Sequence, residues 1–215
     1  MIKLLEELIE SGNAQALNQL LATEPNLLQL KTSRNLSPLL HACETRNQEI
    51  IAILVEHQTE FDLFEACACG KFDWVTHQIS KNPEQLSQCA YDGLTALGLA
   101  VQFGQEEIVR YLLIKDVEVN TAMNNNSLNF PLHLAILNHQ DMIAKMLLEA
   151  GALVNVTQAE GLSPLHLAAS RGNIELIIQL LEAGAEVKQQ CLEGKTAGDL
   201  AEENGWSEIA RILND

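Results

Sequence analysis

The chain has 215 residues, 47% of them apolar and 20% charged, a composition that folds and does not read as disordered. Twenty-nine Asp and Glu against 13 Lys and Arg give a formal charge of −16, and only 4% of the residues are aromatic. Such a chain lacks the clustered cations that hold nucleic-acid phosphates or anionic membranes and the rings on which bases stack, and its apolar runs fall well short of the ~20 residues of a membrane helix.

The opening stretch, MIKLLEELIESGN, is acidic and amphipathic. It has no basic n-region and no continuous apolar core, so it does not read as a secretion signal. The expected location is the cytoplasm, with the five cysteines at 43, 67, 69, 89 and 191 as reduced thiols. Cys67 and Cys69 form a C-x-C, and on a helix residues two apart face different ways, so no metal site is expected there.

The chain repeats itself. Taken in order, the copies begin at Lys3, Ser37, Phe61, Thr95, Phe130, Ser163 and Thr196, with spacings of 34, 24, 34, 35, 33 and 33 residues. The strongest copies are Phe130-Pro131-Leu132-His133-Leu134-Ala135-Ile136 and Ser163-Pro164-Leu165-His166-Leu167-Ala168-Ala169. Nine residues after the anchor stands a glycine in most copies: Gly12, Gly70, Gly104, Gly172 and Gly205. Beyond it, segments such as Ile108-Val109-Arg110-Tyr111-Leu112-Leu113 carry apolar residues three and four apart, the mark of a helix with one buried face. Each unit is therefore predicted to be helix, turn, helix and an extended hairpin-like connection.

The anchor chemistry has a physical reading. Ser or Thr caps the free N–H groups of a first turn, and Pro fits the first helical position, where its missing N–H costs nothing. Gly93, Gly161 and Gly194, two residues before their anchors, suit a turn that needs positive φ, and Asn35 holds the same place in the second unit.

These motifs resemble the ankyrin repeat family, whose signature is T-P-L-H-x-A in a unit of about 33 residues. The resemblance spans essentially the whole chain and is weakest over residues 1–30 and 61–85. It implies an all-α solenoid of stacked helix–turn–helix units with short β-hairpin-like fingers. The expected units are 1–31, 32–58, 59–89, 90–123, 124–156, 157–189 and 190–215, in one domain. Two departures stand out. The 24-residue spacing removes one finger near residue 60. Pro25 and Pro83 each lie twelve residues before the next anchor, so units one and two look like a copy of units three and four. Because the anchors at 3 and 61 lack both Ser/Thr and Pro, the first half is expected to open first and to pivot near residue 60.

The search for catalytic chemistry is negative. Gly194-Lys195-Thr196 ends like a phosphate-binding loop, but Gln189 stands where the earlier glycine belongs. Gly161-Leu162-Ser163-Pro164-Leu165 lacks the second glycine of a nucleophile elbow. His133 and His166 fall at the signature histidine, where a capping hydrogen bond explains them. No catalytic, cofactor or metal-binding residue is expected.

What the family resemblance implies instead is a non-enzymatic scaffold that binds a protein partner through its concave face and fingers; the alternative use of that surface is to cover the active site of a partner enzyme. In the family, partner contacts lie four, three and one residues before each anchor and seven and eight after it. Here those positions include Tyr91, Asp92, Leu94, Gln102 and Phe103 in unit four, and Asn126, Ser127, Asn129, Leu137 and Asn138 in unit five. In unit six they include Glu160, Leu162, Ser170 and Arg171, and in unit seven Leu192, Glu193, Lys195, Glu203 and Asn204. Tyr91 and Phe103 are the expected anchors. Leu36, Leu94 and Leu162, each one residue before an anchor, have packing between fingers as their alternative. The finger containing Asn124, Asn125, Asn126 and Ser127 is read as one residue longer than its neighbours. Asn120 and Asn155 hold the V-N position that resembles the asparagine modified in some members of the family. The expected assembly is a monomer that binds no nucleic acid, membrane or cofactor.

Overall fold

The computed structural model describes every residue except 91, 92, 124–126 and 215. The chain is 61% helix, and among the described residues there is no strand. It divides into two compact units, 1–85 and 86–215. The first holds α1 (Ile2–Ser11), α2 (Ala14–Thr23), α3 (Pro38–Thr45), α4 (Gln48–His57), α5 (Leu63–Ala68) and α6 (Phe72–Lys81). The second holds α7 (Ala96–Gln102), α8 (Glu106–Ile114), α9 (Pro131–Leu137), α10 (Asp141–Glu149), α11 (Pro164–Ser170), α12 (Ile174–Glu182), α13 (Ala197–Glu203) and α14 (Ser207–Asn214).

Each repeat supplies two consecutive helices that pack on each other, and within each compact unit the first helices of neighbouring repeats stack side by side, α1, α3 and α5 in one and α7, α9, α11 and α13 in the other. The anchor residues cap as their chemistry requires. Ser37 Oγ accepts from Leu40 N–H at 3.2 Å, Thr95 Oγ1 from Gly98 N–H at 3.0 Å and Thr196 Oγ1 from Asp199 N–H at 3.2 Å. Pro38, Pro131 and Pro164 each open their helix. The apolar spacing of the second helices buries Ile108, Val109 and Leu112 on α8 and Leu176, Ile177 and Leu180 on α12. The alanine pair Ala168 and Ala169 is fully buried and lets α11 sit close to its neighbours.

The turn between the two helices of a repeat uses a left-handed residue nine positions after every anchor. Glycine holds it in five copies, but Arg46 (φ 56) and His139 (φ 59) take the same conformation in the other two. The frame therefore holds even where its sequence mark is missing.

In four of the fingers a backbone hydrogen bond that spans four residues joins the two sides. The donors and acceptors are Thr32 N–H to Leu36 O (2.8 Å), Ala90 to Leu94 (2.7 Å), Gln158 to Leu162 (3.1 Å) and Cys191 to Lys195 (2.9 Å). In the fifth unit the bond runs from Met123 N–H to Asn129 O at 2.8 Å and spans six residues, so that finger is longer by two residues rather than by one. Gly93, Gly161, Gly194 and Asn35 all have positive φ, as expected. In the fifth finger Leu128 takes this place at φ 49, a conformation that strains a branched side chain.

The first compact unit departs from this pattern in a regular way. Where α8, α10 and α12 are followed by a left-handed Asp116, Gly151 or Gly184, α2 and α6 run instead into 3-10 turns at Pro25–Gln29 and Pro83–Ser87. The two prolines that marked units one and three as copies are thus the first residues of matching turns.

The missing finger is real: only residues 58–62 separate α4 from α5. The cap missing at the anchor is supplied beside it. Asp62, one residue past the anchor, caps α5 by accepting from Glu65 N–H at 2.8 Å, and Glu65 Oε2 accepts in return from Asp62 N–H at 3.2 Å. Phe61 is buried, and its carbonyl accepts from Gln78 Nε2 at 2.6 Å. Residues 58–62 lie inside the first unit, and the boundary between units falls at Gln85 and Leu86, so a pivot at residue 60 is not supported. Helix α1 does start without a side-chain cap, at Met1.

Two glycines at the same finger position separate backbone strain from contact. A Cβ on Gly194 (φ 76) would meet nothing within 4 Å, whereas one on Gly161 (φ 75) would stand 2.8 Å from Leu192 N. Gly194→Ala should cost about 1 kcal/mol, and Gly161→Ala clearly more, in urea unfolding of the full chain. Equal costs would mean that finger six does not lean on finger seven.

Candidate partner-binding face

In unit 86–215 the fingers and the exposed edges of α7, α9, α11 and α13 carry the predicted contact residues. Tyr91, Asp92 and Asn126 lie outside the described residues. Leu137, Ser127 and Glu160 are exposed, and Gln102, Phe103, Asn138, Leu162, Ser170 and Arg171 are partly exposed. Two of the predicted contacts are corrected. Leu94 is only 3% exposed and packs against Gly98, where an added Cβ would meet its Cδ2 at 2.9 Å. Asn129 is 9% exposed at the base of the long finger. Both sit one residue before their anchors, where the chain turns inward to start a helix. Leu36 is buried for the same reason, while Leu162 at the equivalent place stays partly exposed.

The side chains that looked most like chemistry serve the stack. His133 and His166 are fully buried. Nδ1 of each accepts from the backbone N–H of its own anchor, Phe130 and Ser163, at 3.2 Å. Nε2 then lies 3.2 Å from a carbonyl of the next finger, Leu162 O for His133 and Lys195 O for His166, so the partners assign the Nε2–H tautomer. Ser163 Oγ is 2.7 Å from His166 Nδ1, the spacing of a nucleophile and its base, but both groups are buried and the far ring nitrogen meets a carbonyl rather than a carboxylate. Burial pushes His133 down to about 4 and also lowers His166; the backbone hydrogen bonds oppose this without overcoming it.

Other contacts make the same step from repeat to repeat. Asn120 Nδ2 donates to Gly151 O at 3.3 Å and its Oδ1 accepts from Leu153 N–H at 2.9 Å. Asn155 repeats this with Gly184 O (3.0 Å) and Glu186 N–H (2.8 Å). Trp206 lies over Gly172 and donates from Nε1 to Ser170 O at 3.2 Å. Arg171 donates to Ile136 O at 2.6 Å and reaches Asp141 at 3.4 Å. Sequence reasoning placed Arg171 on the contact surface, but part of its guanidinium is committed to holding α9 and α10. Lys195, the lysine of the apparent phosphate loop, sits 2.9 Å from both Glu193 and Glu203, and these carboxylates hold its ammonium above the usual lysine range.

Between fingers six and seven lies a cleft of about 390 Å³. Leu162, Leu167, Leu192 and Leu200 line it, with Glu160 and Glu193 at its edge. The two fingertips are tied by Leu192 N–H donating to Glu160 O at 3.2 Å. Leu192 is 79% exposed. The repeat frame locates this leucine, but its degree of exposure follows from finger geometry. Among the described residues no cluster of three or more His, Cys, Asp or Glu could hold a metal, and no helix is long and apolar enough to cross a membrane.

The buried imidazoles make stability depend on pH. Below pH 6.5 the unfolded chain takes up a proton at position 133 that the folded chain refuses until about pH 4. The stabilisation is whole above 6.5 and is lost as pH falls through that window, by up to about 3 kcal/mol. His133→Gln should therefore cost less in urea unfolding at pH 4.5 than at pH 7; an equal cost would mean that the imidazole is not held neutral.

A family model described as ankyrin repeats (three copies) matches residues 63–158 and 144–215. These stretches cover well over half of the chain and run through the seven-copy frame from α5 onward. The capped first helices, the left-handed turns, the fingers and the histidine links are the features by which those repeats stack. The chain belongs to the ankyrin repeat family.

Proposed function

We propose that this chain, like ankyrin repeats in general, is a protein–protein interaction module without catalysis: it binds a protein partner through the finger and first-helix face of residues 86–215, and contributes binding and no chemistry of its own. The observation that supports this reading best is Leu192: a large apolar side chain held almost wholly in solvent beside an open leucine-lined cleft. Folding gains nothing from that exposure, and apolar side chains next to a pocket are where interface energy concentrates. Phe103, Leu137 and Leu162 extend the same face, and Tyr91 belongs to it by its place in the frame. The partner-binding residues proposed are Tyr91, Asp92, Gln102, Phe103, Asn126, Ser127, Leu137, Asn138, Glu160, Leu162, Ser170, Arg171 and Leu192.

The test is affinity capture from the source lysate with wild-type chain and with Leu192→Ser and Phe103→Ala. A partner bound through this face should be retained about tenfold less well by either variant, with the melting temperature nearly unchanged. Undiminished capture by both variants would place binding elsewhere.

A further inference from the structure

We infer that the cleft between fingers six and seven takes a basic, apolar-anchored segment of the partner: one large apolar side chain in the cleft, with a lysine or arginine close to it in sequence. The inference rests on the reading of this face as the partner-binding face, and names what binds there.

The apolar half follows from the cleft itself. Leu162, Leu167, Leu192 and Leu200 face a space of about 390 Å³. That is at the small end of the range for ligand pockets and suits a side chain better than a folded surface. The cleft is pre-shaped. The bond from Leu192 N–H to Glu160 O ties one wall to the other, and Gly161 lies so close to Leu192 N that no side chain would fit between them. A segment entering it does not have to order the walls first.

The basic half follows from the charges around it. Glu160 and Glu193 edge the cleft, on neighbouring fingertips three residues before their anchors. Glu160 is exposed, and its carboxylate accepts from the neutral amide of Gln158 at 3.3 Å. Lys195, paired with Glu193 of the rim, stands between Glu193 and Glu203 at 2.9 Å from each, so the trio keeps a net negative charge. Arg171 is matched by Asp141. The local field is thus negative around an apolar centre, in a chain whose net charge is −16. Such a field repels acidic segments, fatty carboxylates and phosphorylated peptides, and it speeds and orients the approach of cationic ones.

The probe is a random peptide library displayed on phage, selected on wild-type chain after subtraction on Leu192→Ser. Peptides that survive subtraction should pair a Leu, Phe, Met or Trp with a Lys or Arg within two residues. A synthetic copy of the leading peptide should bind Glu160→Gln/Glu193→Gln about three- to tenfold more weakly than wild type at low ionic strength, and the difference should shrink in added salt. Survivors that are acidic or lack a large apolar residue overturn the inference. So does equal binding to the double Gln variant. No enrichment that depends on Leu192 also overturns it, because the cleft is then not a peptide site. These failures are separable from failure of the broader reading: partner capture that is lost in Phe103→Ala but kept in Leu192→Ser preserves the interaction face and removes only this cleft. Circular dichroism of each variant checks that the fold is intact.

Discussion

No repeat of this chain can bury its apolar face by itself. A pair of helices six to ten residues long has too little surface to enclose a core, and each becomes stable only against the next pair. Everything else in the structure serves that stacking step. The helices are short because a turn must return the chain within each repeat. The alanines of α11 are small because a neighbour must come close. His133 and His166 are buried because each ties its own cap to the next finger in a single side chain. Asn120 and Asn155 make the corresponding tie from the other end of the repeat. Polar groups thus carry specificity of register where apolar contacts alone would let repeats slide.

The first compact unit solves the same problem with different parts. Glu6 occupies the position that histidine holds later, and its carboxylate accepts from Ser33 N–H in the next finger, a contact that holds the carboxyl below the usual glutamate range. His41 reaches back to Glu10 at 3.4 Å. Cys43 Sγ lies 3.4 Å from Cys69 Sγ where α3 packs on α5, and the Cys69 hydrogen bond, with burial and nearby carboxylates, leaves the Cys43 thiol far less acidic than a free one. Glu65, whose carboxyl burial and Asp62 push up, completes the cap that replaces the lost finger. The deletion is tolerated because the groups it would have orphaned are satisfied locally.

The acidic surface and the stacking chemistry are separate layers. In residues 86–215 the links between repeats are made by histidine, asparagine, Arg171, Trp206 and backbone, whereas Glu160, Glu193 and Glu203 stand exposed at fingertips and a helix edge. Where a cation does appear at the finger face, as with Lys195 or Arg171, it is matched by carboxylates of the same chain. The surface can therefore change its charge without disturbing the stack. This is the physical basis on which one architecture can present different faces to different partners.

Much of this architecture is legible in the residues alone, since it arises from local rules. Ser37, Thr95 and Thr196 announce caps, Pro38 and Pro164 announce helix starts, and Gly161 and Gly194 announce left-handed turns. A fixed frame then predicts every repeat, even at Arg46 and His139, where side chains take a glycine conformation. Pro25 and Pro83 signal a paired block by spacing alone. What local rules could not decide was which finger residues face out. Leu36, Leu94 and Leu162 hold the same place, one residue before their anchors, yet the first two are buried and the third is half-exposed, and Leu192, four residues before its anchor, stands almost wholly in solvent. Exposure depends on how far each finger leans on its neighbour, a distance set by the stack and absent from the sequence of any one repeat. The same holds for Asp62, which restores a cap one residue off the frame, and for Lys195, whose charge is matched by two glutamates on either side of it. A periodic sequence specifies the repeat; only the assembled neighbours specify its surface.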